Sequence, residues 1–319
     1  MGKERLLVGL LCIVSFCGGC RSQTNQSPRP DGMPISNNSS SAQIYAANVD
    51  GESKIYVQPP GSGTAHRLTS RTRGWEEFPA LSRSGSLVAY ALSDGPEAKS
   101  EVWISQINGS RAHRVSTPEQ DAFMPVFGAD DHTLLFAISR FTGHYSPIAR
   151  PRRHEFDIMK TIVDPDAPIA SVAPIELTQQ HFFDLRSLSV SPDGERFLLS
   201  TSGYPIGSLI EEFDVAKPLQ IKRIFQPHVP GEPSTGASFG QAAYVGDGMQ
   251  IVFTAAAEGK DGNFDYSVYQ MSDVTGGELV TLAQHTGMID DLTVGNDGTI
   301  YVTAGGKRLS LVGQAHLLR

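Results

Sequence analysis

The chain has little cysteine and keeps none of it in its body. Cys12, Cys17 and Cys20 all fall in the first twenty of 319 residues, so the remainder can form no internal disulfide. An exported domain built this way draws its stability from core size and closure instead of cross-links. A second absence is a membrane-spanning run. The most apolar stretch, Leu6 to Phe16, is about eleven residues long, against the roughly 20 that cross a bilayer. No long amphipathic stretch at helical period is present either, which leaves strands to build the fold. Excess positive charge is missing as well. A net charge of −8 and a pI near 5.6 exclude a general nucleic-acid or anionic-membrane surface.

What is present begins with a leader. Lys3 and Arg5 precede the apolar run, and Gly18-Gly19-Cys20 follows it. This is the pattern of a secretory signal, and its end resembles a bacterial lipoprotein processing site, in which small residues precede the cysteine whose thiol is acylated. The expectation is a signal peptide over 1–20 with Cys20 lipidated. The alternative is an ordinary signal peptide cut nearby, which leaves Cys20 a free thiol. Residues 21–42, rich in Ser, Asn and Pro, are expected to form a flexible tether to a domain over 43–319.

From Ile44 onward one phrase recurs. "IYAANVDGESKIYVQPPGSGTAHRLT" (44–69) and "VAYALSDGPEAKSEVWISQINGSRAHRVS" (88–116) align closely. Ahead of the second copy lies "FPALSRSGS", with counterparts at "MPVFGADDH", "LSVSPDGER", "AYVGDGMQ" and "LTVGNDGT". Each supplies one further strand and its hairpin turn. The turn residues Gly85, Asp131, Gly194, Gly248 and Gly298 recur about every fifty residues, the spacing of propeller blades built from four strands. Asp193-Gly194, Asp247-Gly248 and Asp297-Gly298 are the residues of a tight type I′ turn, and Arg196 to Leu199 begins a strand buried on both faces. Six units follow, so the fold class is all-β: a six-bladed propeller of four-stranded antiparallel blades. The first unit lacks a clear inner strand, and the terminal "AHLLR" echoes "AHRLT" and "AHRVS", so the ring is expected to close between N- and C-terminal strands.

"SPDGERFLLST" and "FPALSRSGSLVAYALS", followed by "VWISQINGSRAHRVST", resemble the WD-like repeats of the TolB-type β-propeller family over residues 44–319. The resemblance implies binding and scaffolding, with some relatives acting as hydrolases or lyases. Fold alone does not decide between them.

Two sets of residues are candidates for a site. Loops leading into the inner strands carry Trp75, Glu76 and Glu77; Glu119 and Asp121; His181, Asp184 and Arg186; Gln241; Asp290 and Asp291. They are expected to converge as a mostly acidic ring at the channel mouth, suited to a cation, amine or sugar, or else to serve as solvated loop polar groups. The third unit carries the longest insertion, "SRFTGHYSPIARPRRHEFD" (139–157). Its Arg140, His144, Tyr145, Arg150, Arg152 and Arg153 mix cationic and aromatic side chains as recognition loops do. A solvated excursion is the plain alternative.

Several catalytic patterns fail on context. "GASFG" (236–240) matches Gly-x-Ser-x-Gly around Ser238, but a strand and hairpin follow it where a nucleophile elbow needs a helix. The nine histidines show no metal-ligand spacing, and His66, His113 and His316 share one repeat position, expected to pack in the outer strand. No cofactor or metal is expected. The sequence points to an envelope lipoprotein that binds a protein or glycan as a monomer, contacts the membrane through its lipid alone and takes no nucleic acid. An envelope hydrolase or lyase using His181, Asp184 and the acidic ring is the alternative.

Overall fold

The computed structural model describes residues 42–319 except 63, 72, 73, 144–151, 165, 167–171, 204–206, 230–237, 259–263, 272–276, 287, 306, 312–315 and 319. Cys20, His144, Tyr145 and Arg150 lie outside the described residues.

Six antiparallel sheets follow one another along the chain. The first holds β1 (Gln43–Val49), β2 (Glu52–Gln58) and β3 (His66–Arg67). The second holds β4 (Trp75–Leu81), β5 (Leu87–Ser93), β6 (Ser100–Gln106) and β7 (His113–Arg114). The third holds β8 (Asp121–Phe127), β9 (Thr133–Gly143), β10 (Arg152–Ile162) and β11 (Ile175–Glu176). The fourth holds β12 (Asp184–Val190), β13 (Arg196–Gly203), β14 (Gly207–Asp214) and β15 (Ile221–Phe225). The fifth holds β16 (Ser238–Val245), β17 (Gln250–Glu258), β18 (Phe264–Met271) and β19 (Leu279–Thr286). The sixth holds β20 (Ile289–Val294), β21 (Ile300–Ala304) and β22 (Lys307–Leu311). The chain is a six-bladed β-propeller, and the described residues contain no helix.

The core lies between blades, which is why the second strand of a blade is apolar on both faces. All seven residues of β5 are buried, and β13 is buried from Phe197 to Thr201. Apolar clusters fill the junctions. Ile55, Val57 and Leu68 meet Val88 and Tyr90 between blades one and two. Phe197 and Phe213 stack at 5.0 Å beside Phe156 between blades three and four. Burying such side chains is worth about 1.5–3 kcal/mol each.

The Asp-Gly turns differ from expectation. Positive φ is confined to the glycine, with Gly194 at +74°, Gly248 at +84° and Gly298 at +78°. Gly194 N donates to Ser191 O at 2.8 Å, and Asp193 Oδ1 accepts from Glu195 N at 2.9 Å. This is a type I turn ending in a left-handed glycine, and the aspartate caps the turn with its side chain instead of adopting positive φ itself. Only Asp50-Gly51, between β1 and β2, has both residues at positive φ among the described turns.

Each complete blade has a break in the pairing of its inner strand, such as Glu77/Ala80 in β4 and Phe123/Val126 in β8. Phe78 and Met124 occupy these bulges at φ +51° and +48°. A bulge bends the strand and increases its twist, which turns the upper part of each inner strand toward the channel mouth.

Among the described residues, the first and last blades meet through side chains. The Arg308 guanidinium of β22 lies 5.7 Å from the Tyr45 ring of β1. The terminal strand β23 (His316–Leu318) pairs in parallel with β19 of the fifth blade. His66 and His113 open the outer strands β3 and β7 as the repeat implies, but both are exposed. A two-residue edge strand has no neighbour to cover them.

Candidate functional site

At the mouth, the carboxylates meet donors from their own or the adjacent blade. Glu76 is wholly buried. Its Oε2 accepts from Ile55 N at 3.1 Å, and its other oxygen takes the Thr69 hydroxyl. Trp75 is buried beside it, and Glu77 is half-buried. Asp121 accepts from Ser100 N at 2.9 Å and from Arg153 Nε at 2.9 Å, tying the third blade to the second. Arg153 also donates to Ala98 O at 3.1 Å and Ser100 Oγ at 2.6 Å. Asp184 Oδ2 accepts from Arg186 Nε at 3.2 Å and Ser202 Oγ at 2.9 Å. Arg186 reaches on to Phe239 O in the fifth blade at 2.6 Å.

Asp291 is paired with Gln241 Nε2 at 3.2 Å, and Arg308 Nη1 lies 4.0 Å away. Dense protein around it raises its carboxyl above the usual carboxylate range, and the Arg308 charge opposes that rise. Its side chain still keeps 39% of its surface exposed. Asp290 and Glu119 are exposed. The Glu119 carboxyl sits below its usual range, held by its own backbone amide and by the Thr117 side chain.

The insertion of the third blade is an extension of its hairpin. Pairing continues outward to Gly143 opposite Arg152. Arg152 is half-buried at that end. Arg140 turns back and donates to Asp157 Oδ2 at 3.0 Å and to Glu176. These carboxylates hold its guanidinium above its ordinary value. Among its described residues the hairpin presents aromatic rings. Phe141 is 55% exposed and stacks on His154 at 6.3 Å, and His154 lies 5.6 Å from Phe183, which is 45% exposed.

No family model matches the chain, and no curated protein matches it. Among solved structures it is similar to TolB from Acinetobacter baumannii, with 15% identity and a TM-score of 0.59 over 89% of this chain and 66% of that one. It is also similar to hydrazine synthase from Kuenenia stuttgartiensis, with 13% identity and a TM-score of 0.54 over 89% and 77% of the two chains. A third is an oligogalacturonate lyase in complex with manganese, with 16% identity and a TM-score of 0.53 over 82% and 67%. The fold is that of a TolB-type β-propeller. At these identities the likeness concerns the fold alone, and this chain spans just under two thirds of the length of that TolB.

Asp157 is the group of the TolB-type ring that sequence reasoning missed. It is fully buried on β10 and accepts from Thr178 Oγ1 at 2.8 Å, Gln180 N at 2.9 Å and Arg140, while His181 Nδ1 lies 3.3 Å away. His181, a predicted mouth residue, is thereby held at φ +51° with its side chain half open. The available signal was a lone aspartate inside the apolar strand "EFDIMK". At the opposite, turn-bearing end, the channel holds a cavity of about 330 Å³. Its wall includes Ser187, Ser189, Tyr244, Asn296, Tyr301 and Arg308.

Proposed function

We propose that this protein is an exported lipoprotein of the bacterial cell envelope, anchored through acylated Cys20, whose propeller binds an envelope protein or glycan without catalysing a reaction. The observation that carries this reading is the dispersal of the mouth carboxylates. Glu76, Asp121, Asp157 and Asp184 sit at separate blade junctions, each committed to arginine, hydroxyl or backbone donors. Hydrolysis and elimination need an acid and a base within reach of one reacting centre. Recognition needs only a rigid surface, and the Phe141, His154 and Phe183 rings supply apolar faces on the extended hairpin.

The test uses the mature protein in mild detergent, with binding measured against purified envelope glycans and envelope protein extracts. The paired change Phe141→Ser and Phe183→Ser is expected to abolish binding at unchanged melting temperature. Palmitate labelling is expected in the wild type and not in Cys20→Ala. Binding that survives the paired change would overturn the placement of the surface.

One observation favours an envelope enzyme as a second reading: Asp291 has a raised carboxyl beside Gln241 and Arg308, with part of its side chain exposed. Turnover of a uronic-acid oligosaccharide or a peptide, lost in Asp291→Asn, would replace the binding reading with that one.

A further inference from the structure

The cavity at the turn-bearing end of the channel has walls of one charge sign. Among its described lining residues there is no aspartate, glutamate, lysine or histidine, and the charged side chains are Arg83 and Arg308. On a chain of net charge −8 this is a local reversal. The volume of about 330 Å³ stands at the lower end of the roughly 300–1,000 Å³ typical of small-molecule sites.

Several polar groups of the wall are already engaged within the protein. The Ser187 hydroxyl donates to Ala242 O at 3.2 Å, and the Ser189 hydroxyl accepts from Tyr244 N at 3.2 Å. The Tyr244 hydroxyl donates to Glu212 at 2.9 Å, and Asn296 Nδ2 donates to Ser82 O at 2.8 Å. Arg308 is the exception. Its Nη2 donates to Thr293 Oγ1 at 3.1 Å, but its Nη1 lies 4.0 Å from Asp291, beyond hydrogen-bond reach. Its Nε is buried and has no partner among the described residues.

The guanidinium is also positioned in advance. The Tyr301 ring lies 4.7 Å from it and the Tyr45 ring 5.7 Å, so aromatic faces hold it where it stands. Burial draws it below the ordinary arginine range, and Asp291 opposes that fall. A buried cation with an idle N–H carries a desolvation cost that an anion would offset. Thr293 Oγ1 accepts from Nη2 through a lone pair, which leaves its own proton to donate.

We propose that the channel cavity binds a small carboxylic acid, whose carboxylate takes the Arg308 Nε–H and the Thr293 hydroxyl while its apolar body lies along the wall formed by Leu81, Val126 and Leu292. A carboxylate fits this place better than phosphate, because Asp291 already answers part of the guanidinium charge and would repel a dianion more strongly. Arg83 adds positive charge among the turns, where it is exposed and its Nη1 donates to Pro192 O at 2.9 Å, from blade two to blade four. Positive charge there raises the local concentration of anions. The site is separate from the aromatic surface of Phe141 and Phe183, so either reading can fail without the other.

The experiment is calorimetric titration of the full mature chain with hexanoate, benzoate and phenylacetate, each beside its amide, and with inorganic phosphate. At least one acid is expected to saturate the protein, and its amide is not. Arg308→Gln is expected to weaken that acid at least about tenfold, the scale of a lost charge-assisted hydrogen bond. Asp291→Asn is expected to tighten it, because the competing carboxylate is gone; an enzymatic Asp291 would show instead as lost turnover. The comparison of acid with amide needs no substitution, so it stands even if Arg308→Gln does not fold. An amide bound as tightly as its acid, saturation by phosphate alone, or no saturation by any probe would overturn the proposal. So would a folded Arg308→Gln protein that binds the acid as the wild type does.

Discussion

Arg153 Nε donates to the Asp121 carboxylate at 2.9 Å while its guanidinium lies 4.7 Å from the centre of the Phe123 ring. One arginine thus satisfies a carboxylate, covers an aromatic face and reaches the backbone of the next blade at Ala98.

Arg153→Met is expected to destabilise the protein by about 2 kcal/mol, the scale of charged hydrogen bonds, with the Asp121 carboxylate left short of a donor. The side chains retain 22% and 14% of their exposure, so water recovers part of the loss. Arg153→Lys should fall between, because an ammonium cannot reach all three acceptors. Urea unfolding of the three proteins checks the order.

Burial pushes the Tyr90 hydroxyl up to about 12, and the Glu76 carboxylate adds to the rise. The folded state therefore holds this proton more tightly than an unfolded tyrosine titrating near 10. Stability is expected to be complete below pH 10 and to fall by on the order of 2–3 kcal/mol as the pH climbs to about 12. Tyr90→Phe should reduce that slope. Tyr244, also raised by burial, should keep the remainder. Urea midpoints across this range measure both.

Glu211 is buried with one hydroxyl donor, Thr201 Oγ1 at 2.6 Å, and burial raises its carboxyl above the usual 4.5. A raised folded value means that stability is lost as pH rises from 4.5 through that value. Glu211→Gln keeps an oxygen for Thr201 and removes the charge, so it is expected to be more stable than wild type at pH 7 and equal to it at pH 4. A chemical melt at each pH decides the sign.

Two turn glycines separate backbone strain from crowding. A Cβ on Gly298 at φ +78° meets nothing within 4 Å, whereas one on Gly194 at φ +74° lies 2.9 Å from the Ala129 Cβ. Gly298→Ala is expected to cost about 1 kcal/mol and Gly194→Ala about 2 kcal/mol. Equal thermal shifts would show that the Ala129 turn yields.

The blades were legible because one strand period and one turn recur, and each turn is settled within a few residues. The partners of the site were not. Glu76 is spent on Ile55 N, and Arg153 on Ser100 and Ala98, contacts made between blades and invisible to local pattern. The turn type was misread because Asp193 accepts the Glu195 amide with its side chain, a use of aspartate that the letters Asp-Gly share with type I′ turns. Of the insertion's arginines, Arg140 is committed within the hairpin, because the antiparallel pairing of β9 and β10 brings it and Asp157 to the same part of it.

Asn296 Nδ2 donates to Ser82 O at 2.8 Å, linking the turn of the last blade to the turn of the second across 214 residues of chain. A contact between neighbouring blades can form as soon as both blades exist, but this one waits for nearly the whole polypeptide. Closing so long a loop is entropically costly and places this contact late in folding. The junction of the last blade with the first has no apolar cluster among the described residues, so a force or a translocase acting on either terminus would open the ring there while the five apolar junctions stay shut.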